Sequence, residues 1–178
     1  MNDPNFWKDQ YHHTWQRASA RETAIIERIK RETGRTVILC GLGAGSDQYL
    51  SGTAASYGYE KGSADLHVLG TNIYLEVTGP QSKAVPLTAP LWIRPDKLNN
   101  ARIHNHEHET WIIHWLERDG TLRVIHLNGE FFEELEKGMF KTATPMIRGA
   151  REMYIEIPAN SRFVKPWSTL IARLRELD

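Results

Sequence analysis

The chain contains very little cysteine: Cys40 is the single cysteine among 178 residues. One cysteine cannot form an internal disulfide, which favours a reducing compartment. No apolar run approaches the roughly 20 residues that span a bilayer, and the first residues lack the apolar segment of a secretory signal. These absences predict a cytoplasmic protein without a membrane segment.

An excess of charge of either sign is also missing. Lysine plus arginine and aspartate plus glutamate both number 22, so the formal net charge is zero with neutral histidine. The chain lacks the overall positive charge that would indicate nucleic-acid binding. It also lacks the overall negative charge that would indicate disorder. Any nucleic-acid site must therefore be a local patch, and the neutral balance favours specific, structure-selective or oligomeric recognition over tight nonspecific binding.

The chain does contain the patterning of one globular domain. Its 178 residues suit about one domain, and helical and strand patterns are mixed, which predicts a single α/β domain with a central mixed β-sheet flanked by helices. We divide it into an N-terminal extension (1–15), a core motif region (16–126) and a C-terminal helix–strand–helix (127–178). The predicted elements are a helix at 16–33, a buried strand at 36–40, a loop at 41–63, a hairpin at 64–79, a helix after Pro95 with Ala101 and Ile103 inward, a hairpin around Asp119 and Gly120, a helix at 129–138, a strand at 152–158 and a helix at 165–177.

Two carboxylates stand within the apolar 64–79 hairpin. Side chains alternate along a strand, so Glu76 and Thr78 share one face. A tight turn near Gly70 leaves Asp65 roughly level with Glu76 on the partner strand. Two close carboxylates repel each other and are costly to bury, whereas a divalent cation between them resolves both problems. Mg²⁺ prefers such hard oxygen ligands and often uses only one or two protein carboxylates.

Asp65, a short gap and then Glu76-Val77-Thr78 resemble the core of the PD-(D/E)XK, or restriction-endonuclease-like, nucleases. The order of elements over residues 16–126 is similar to that family, although only the aspartate and glutamate match by residue. The resemblance implies that Asp65 and Glu76 are metal ligands, that the carbonyl of Val77 is a further ligand, and that the cofactor is Mg²⁺ or Mn²⁺.

Thr78 stands where this family usually has a lysine, and the segment before Asp65 reads Ser63-Ala64 without the usual proline. In the family that lysine orients or deprotonates the attacking water, and some members supply it from the following helix. Lys97 is the best-placed substitute here, with Lys61 and Lys83 as the next candidates. The resemblance also implies a glutamate on the first helix, for which we choose Glu27, with Glu22 as the other option.

The resemblance implies that DNA is the partner, contacted by residues of the glycine-rich loop and by nearby lysines. The function we predict is Mg²⁺-dependent hydrolysis of DNA phosphodiester bonds, by a protein that could act as a homodimer. The predicted contacts are Ser46, Gln48, Tyr49, Lys61 and Lys83.

Three alternatives stay open. Thr78 allows a catalytically inactive nuclease-fold protein that binds DNA or a protein partner. The run of histidines at 104, 106 and 108 allows a transition-metal enzyme, because neutral imidazole suits Zn²⁺, Ni²⁺ or Cu²⁺. The glycines at 41, 43 and 45 follow a strand and suggest a nucleotide site, although the spacing is not that of a dinucleotide fingerprint and no phosphate-binding lysine follows.

Overall fold

The computed structural model describes residues 4–40, 63–147 and 149–177, with only the backbone for residues 4–15. Its helices and strands follow the predicted order closely. The helices are α1 (Pro4–Thr33), α2 (Pro95–Ile103), α3 (Gly129–Glu136) and α4 (Trp167–Arg175). The strands are β1 (Val37–Leu39), β2 (Leu66–Val68), β3 (Ile73–Thr78), β4 (Leu91–Ile93), β5 (Glu109–Trp115), β6 (Leu122–His126), β7 (Lys141–Ala143), β8 (Met146–Ile147), β9 (Ala150–Arg151), β10 (Tyr154–Ile157) and β11 (Lys165–Pro166).

A six-stranded sheet with the order β1-β2-β3-β5-β6-β11 forms the centre of the molecule. β3 and β5 pair in parallel, with Glu76 opposite Ile112, and every other neighbouring pair in this sheet is antiparallel. The parallel pair requires a crossover, which contains β4 and α2. This confirms the predicted mixed sheet in a single α/β domain.

The first face of the sheet is covered by α1 and α4. Apolar side chains at helical spacing in α1, such as Ile25 and Ile29, and in α4, such as Leu170 and Leu174, pack on alternate residues of the strands, such as Leu75 and Ile113. This face therefore buries the N-terminal and C-terminal helices against the same strands.

The second face is covered by α2, α3 and a smaller three-stranded sheet of order β4-β10-β7. Leu98 of α2 and Phe131 of α3 pack with Ile112 and Ile125 of the central sheet. Because Glu76 pairs with Ile112, it also points to this second face. Among the described residues no helix combines the length and the apolar character needed to cross a membrane.

Several local predictions were wrong. The first helix begins at Pro4 rather than at residue 16. In β1 only Val37 is buried, whereas Ile38 and Leu39 are 40% and 45% exposed, because β1 is the edge strand of the sheet. Ile103 is 55% exposed at the end of α2. The short strands β4, β7, β8, β9 and β11 were not predicted, since two or three residues carry too little periodicity to be recognised.

Candidate active site

The hairpin register brings the two carboxylates level, as the sequence predicted. Leu66 pairs with Leu75 and His67 with Tyr74 in the antiparallel β2–β3 ladder. Asp65 immediately precedes Leu66, and Glu76 immediately follows Leu75, so the two acidic residues lie opposite each other. The Asp65 amide donates to the Leu75 carbonyl at 3.1 Å. Both side chains therefore lie on the second face of the sheet, under α2.

Besides the bond from its amide to Leu75, Asp65 accepts two hydrogen bonds from neighbouring backbone amides. Its carbonyl accepts from the Cys40 amide at 2.8 Å, so the residue bridges β1 and β3. One side-chain oxygen, Oδ2, accepts from the Val77 amide at 3.0 Å. The other oxygen, Oδ1, faces Lys97 at 3.6 Å. The Asp65 side chain is thus fixed by the same strand that carries Glu76.

Lys97 reaches both carboxylates from the first turn of α2. Its Nζ donates to Glu76 Oε2 at 2.8 Å and to the Ser63 carbonyl at 2.9 Å. α2 begins at Pro95, whose fixed φ suits a first helical residue. The structure therefore brings together Asp65, Glu76 and Lys97, and the ammonium is supplied by α2 rather than by residue 78 of β3.

The electrostatics of this group are those of two acids that share one cation. Burial and the neighbouring Asp65 charge raise the pKa of Glu76 well above its usual range, although Lys97 opposes this shift. Burial alone would lower the pKa of Lys97, but the Glu76 and Asp65 carboxylates outweigh burial and raise it. Lys97 is therefore an ammonium at neutral pH, and the charge of the second carboxylate is balanced by a proton on Glu76 or by a bound cation.

Of the two glutamates considered on α1, Glu22 and not Glu27 lies on the buried side of the helix, near Cys40. Glu22 is 4% exposed, on the helix face that carries the core residue Ile25. Its charge is among those that raise the pKa of the Cys40 thiol to about 11, after burial and the charges of Asp65 and Glu76. Glu27 is exposed, because five residues along a helix turn a side chain to the far side.

Of the five predicted nucleic-acid contacts, only Lys83 lies within the described residues. Ser46, Gln48, Tyr49 and Lys61, like the glycine-rich segment, lie outside the described residues. Lys83 is exposed in the connection between β3 and β4, where its charge acts on Glu117. Lys83 does not join the group formed by the two carboxylates and Lys97.

A second buried polar pair on the same sheet face was missed by the sequence reasoning. His114 of β5 pairs with Thr78 of β3 and with Arg123 of β6 in the two ladders. His114 and Arg123 are 3% and 6% exposed, and Arg123 Nη2 donates to His114 Nδ1 at 3.2 Å. The signal was available, since an arginine inside the apolar run of residues 122–127 is as unexpected as Glu76 inside β3.

The buried Arg123 and the half-buried Arg21 secure the connection that follows β3. Arg123 Nη1 donates to the Leu87 carbonyl at 2.8 Å. Arg21 of α1 donates to the Gly79 and Pro80 carbonyls at 3.2 and 2.7 Å and pairs with Glu117 at 2.7 Å. Gly79 has φ +143°, and a Cβ there would lie 2.1 Å from the Trp115 carbonyl oxygen. The end of the strand that carries Glu76 is therefore rigidly placed.

The histidine run does not form a transition-metal centre in the described structure. His104 and His108 stack with ring centroids 5.3 Å apart, and His106 is exposed and lies 3.3 Å from Glu107. Across residues 16–40, 63–147 and 149–177 no three histidine, cysteine, aspartate or glutamate side chains are grouped as a metal site. Within the described residues, His104, His106 and His108 are therefore not arranged as the ligands of one transition-metal ion.

The donor chemistry of the Asp65–Glu76 pair suits Mg²⁺. Both carboxylates are buried and face one ammonium. Carboxylate oxygens are the ligands that Mg²⁺ prefers, and one or two of them suffice because the ion keeps waters. The contacts of the Lys97 ammonium with both carboxylates show where a positive charge interacts with this pair.

Comparison with known proteins shows a likeness to solved structures but not to known sequences. No family model matches the chain, and no curated protein sequence matches it. Among solved structures it is similar to D212, a nuclease from a fusselovirus, with a TM-score of 0.51 and 14% identity, over 89% of this chain and 87% of that chain. At this identity the likeness shows a shared mixed α/β fold.

Proposed function

We propose that this protein is a Mg²⁺-dependent nuclease that hydrolyses DNA phosphodiester bonds and belongs to the PD-(D/E)XK type. The observation that carries the proposal is the convergence of Asp65, Glu76 and Lys97 on one sheet face. The likeness to a viral nuclease over 89% of the chain supports it. Mn²⁺ would serve as the alternative metal.

In this proposal Asp65 and Glu76 hold the metal, with the Val77 carbonyl as a further oxygen ligand. A bound Mg²⁺ polarises a phosphoryl oxygen and lowers the pKa of water. The hydrogen bond from the Val77 amide fixes Asp65 Oδ2. This leaves Oδ1 and the Glu76 carboxylate as the atoms directed toward the shared cation position.

Lys97 acts as a hydrogen-bond donor and a charge in this mechanism. Its Nζ lies 2.8 Å from Glu76 Oε2 and 3.6 Å from Asp65 Oδ1, so its ammonium is placed to donate to a water at the carboxylate pair. Its ammonium also faces the negative charge that develops on the phosphoryl oxygens. Its bond to the Ser63 carbonyl at 2.9 Å keeps it at the edge of the carboxylate pair.

The first test is cleavage by the Glu76→Gln variant. Supercoiled, linear and branched DNA are incubated with the parent and the variant in Mg²⁺ or Mn²⁺. Glu76→Gln keeps the side-chain shape and removes a metal-binding charge, so the cleavage rate should fall by at least about 100-fold.

Glu109→Gln is the matched control. Glu109 is a partly buried glutamate that pairs with Arg173 at 2.7 Å, away from the carboxylate pair. We expect this variant to retain cleavage. Cleavage that survives in Glu76→Gln, or that disappears equally in both variants at equal folded fractions, would contradict the assignment.

A second candidate is a non-catalytic protein on the same fold that binds DNA or a protein partner. It is favoured by the bond between Lys97 and Glu76 at 2.8 Å, because an internal ammonium partly balances the pair without a metal. Metal titration by calorimetry separates the two. The nuclease should bind Mg²⁺ or Mn²⁺ and lose that binding in Glu76→Gln. Carboxylates that are balanced by Lys97 without a metal should bind neither ion.

The homodimer remains a prediction, made because nucleases that cut both strands often act in pairs. Sedimentation equilibrium of the purified protein, alone and with duplex DNA, tests it. A monomer under both conditions would contradict it.

A further inference from the structure

A continuous stack of four rings lies beside the carboxylate pair. His67 and Tyr74 have centroids 4.4 Å apart with planes 12° apart. Tyr74 and His108 are 4.2 Å apart at 29°, and His108 and His104 are 5.3 Å apart at 22°. The stack therefore runs from β2 across β3 to the turn between α2 and β5.

The stack shares the sheet face of the proposed active site. Tyr74 precedes Glu76 by two residues in β3, so the two point the same way about 7 Å apart along the strand. His67 precedes the β2–β3 turn on the strand that follows Asp65. α2 also connects the two places, because it carries Lys97 in its first turn and ends at His104.

The stack is held in place by the backbone around it. The His108 amide donates to the His104 carbonyl at 2.8 Å, which sets the two imidazoles one turn apart. His67 Nε2 bonds to the Thr71 carbonyl at 2.8 Å. The Asn72 side chain donates to the Glu107 carbonyl at 3.3 Å and ties the β3 start to the same turn.

The polar edges of the central rings are open to a ligand. His67, Tyr74, His104 and His108 are all half-buried. The Tyr74 hydroxyl and the His108 ring nitrogens make no hydrogen bond to another residue within 63–147 or 149–177. Imidazole and phenol edges donate to phosphate oxygens. The faces of Tyr74 and His108 are covered by their neighbours in the stack, so a nucleobase can stack only on the outer faces of His67 and His104.

We propose that the ring stack of His67, Tyr74, His108 and His104 is a subsite for the nucleotide that flanks the scissile phosphate in a DNA strand. The inference rests on the proposed nuclease function, because that function places the scissile phosphate at Asp65, Glu76 and Lys97. The strand would then pass from the carboxylates toward the Tyr74 end of β3. Its flanking phosphodiester would accept hydrogen bonds from the Tyr74 hydroxyl and the His108 imidazole.

Binding without cleavage tests the subsite separately from the chemistry. A fluorescein-labelled 20-nucleotide single strand and its duplex are titrated in EDTA, and fluorescence anisotropy reports affinity. His108→Ala and Tyr74→Phe should each weaken binding by about threefold or more, and the double variant by about tenfold. Tyr74→Phe keeps the stacked ring and removes only the hydroxyl, so it should fold normally.

His126→Ala is the matched control. His126 of β6 stacks on Trp111 at 4.5 Å and 3°, on the opposite face of the same sheet. Its loss should leave DNA affinity unchanged. In a sample with ¹³C-labelled histidine, DNA should shift the signals of His67, His104 and His108 and leave that of His126 in place.

The outcomes distinguish this inference from the nuclease proposal. Binding that is weakened only by the stack variants supports the subsite, even if no metal supports cleavage, in which case the catalytic proposal fails alone. Equal affinities for the parent, the stack variants and His126→Ala overturn the subsite while leaving cleavage to be judged by Glu76→Gln. A parent that binds neither probe overturns the subsite as well.

Discussion

At the scale of single residues, the second face of the sheet is notable for charge that is buried in small, partly balanced groups. Asp65 and Glu76 face one ammonium. Arg123, one strand beyond His114, has a buried Nε without a hydrogen-bond partner among the described residues. Burial of such groups is costly unless they are paired, so these charges reduce the stability that this face contributes.

His114 provides a test of this burial through pH. Burial, with the charges of Arg123 and Arg21, lowers the pKa of His114 to about 3 from its ordinary 6.5. Below pH 6.5 the unfolded chain binds a proton at this histidine and the folded chain does not. The free energy of unfolding should therefore fall as pH falls, by about 1.4 kcal/mol per pH unit from this residue, until pH approaches 3.

Urea unfolding of the parent and His114→Gln between pH 7 and pH 4.5 measures this contribution. The variant should show a shallower decline in stability, since it no longer carries the titrating group. His106→Gln is the control, because His106 is 71% exposed. Parallel pH profiles for the parent and His114→Gln would contradict a lowered pKa of His114 in the folded protein.

At the scale of elements, α2 takes over a position that the proposed family normally gives to the strand. Lys97 stands in the first turn of α2, where Leu98 and Ala101 anchor the helix in the core. Thr78 shares the face of Glu76 in β3. The Lys97 ammonium therefore reaches Glu76 because α2 packs on the sheet. Its placement depends on these tertiary contacts rather than on the geometry of β3.

Moving the lysine back to the strand tests this exchange. Lys97→Ala should lower the DNA cleavage rate by about 100-fold or more. Adding Thr78→Lys to this variant should recover part of the rate, because a lysine two residues after Glu76 points to the same face. The measurement is the initial rate of plasmid nicking.

Lys137→Ala is the control for a lost lysine, because Lys137 is exposed and pairs with Glu133 in an i,i+4 contact, away from the carboxylate pair. It should leave the rate unchanged. Full activity in Lys97→Ala would remove Lys97 from the mechanism. A folded double variant without any recovery would instead show that the helix position is essential.

At the scale of the whole molecule, two hydrophobic clusters lie on opposite faces of one sheet. Ile113 belongs to the cluster under α1 and α4, and its neighbour Ile112 belongs to the cluster under α2, α3 and the smaller sheet. Both residues are essentially inaccessible to solvent. Since the same strands build both clusters, the domain should unfold as one cooperative unit.

Ile112→Ala and Ile113→Ala test this coupling. Each should reduce the free energy of unfolding by about 2–5 kcal/mol, because each leaves a cavity in a packed core. Circular dichroism and tryptophan fluorescence should report one coincident transition in both variants. Two separated transitions in either variant would mean that the two faces unfold independently. Ile103→Ala, at a residue that is 55% exposed, should change stability little.

Much of the fold could be predicted because its signals are local. The 64–79 hairpin follows from alternation and a tight turn, and its register alone sets Asp65 level with Glu76. Asp119-Gly120 similarly marks the β5–β6 hairpin, where Gly120 has φ +72°. The edge position of β1, which exposes Ile38, could not be predicted, because a strand's neighbours in the sheet are set by distant segments.

The sequence by itself determined the mixed α/β class and the pairing of Asp65 with Glu76 across one hairpin, since each depends on periodicity or on residue type within a short segment. The resemblance to the nuclease family suggested Lys97, and its contact with Glu76 depends on the packing of α2 against the sheet. Only the tertiary structure decided that Glu22 rather than Glu27 turns inward, that His114 meets Arg123, and that His67, Tyr74, His104 and His108 form one stack. These arrangements depend on the parallel pairing of β3 with β5 and on the packing of helices against the sheet. Such contacts join residues far apart in the chain, and their geometry is set by the packing of the whole core rather than by any local pattern.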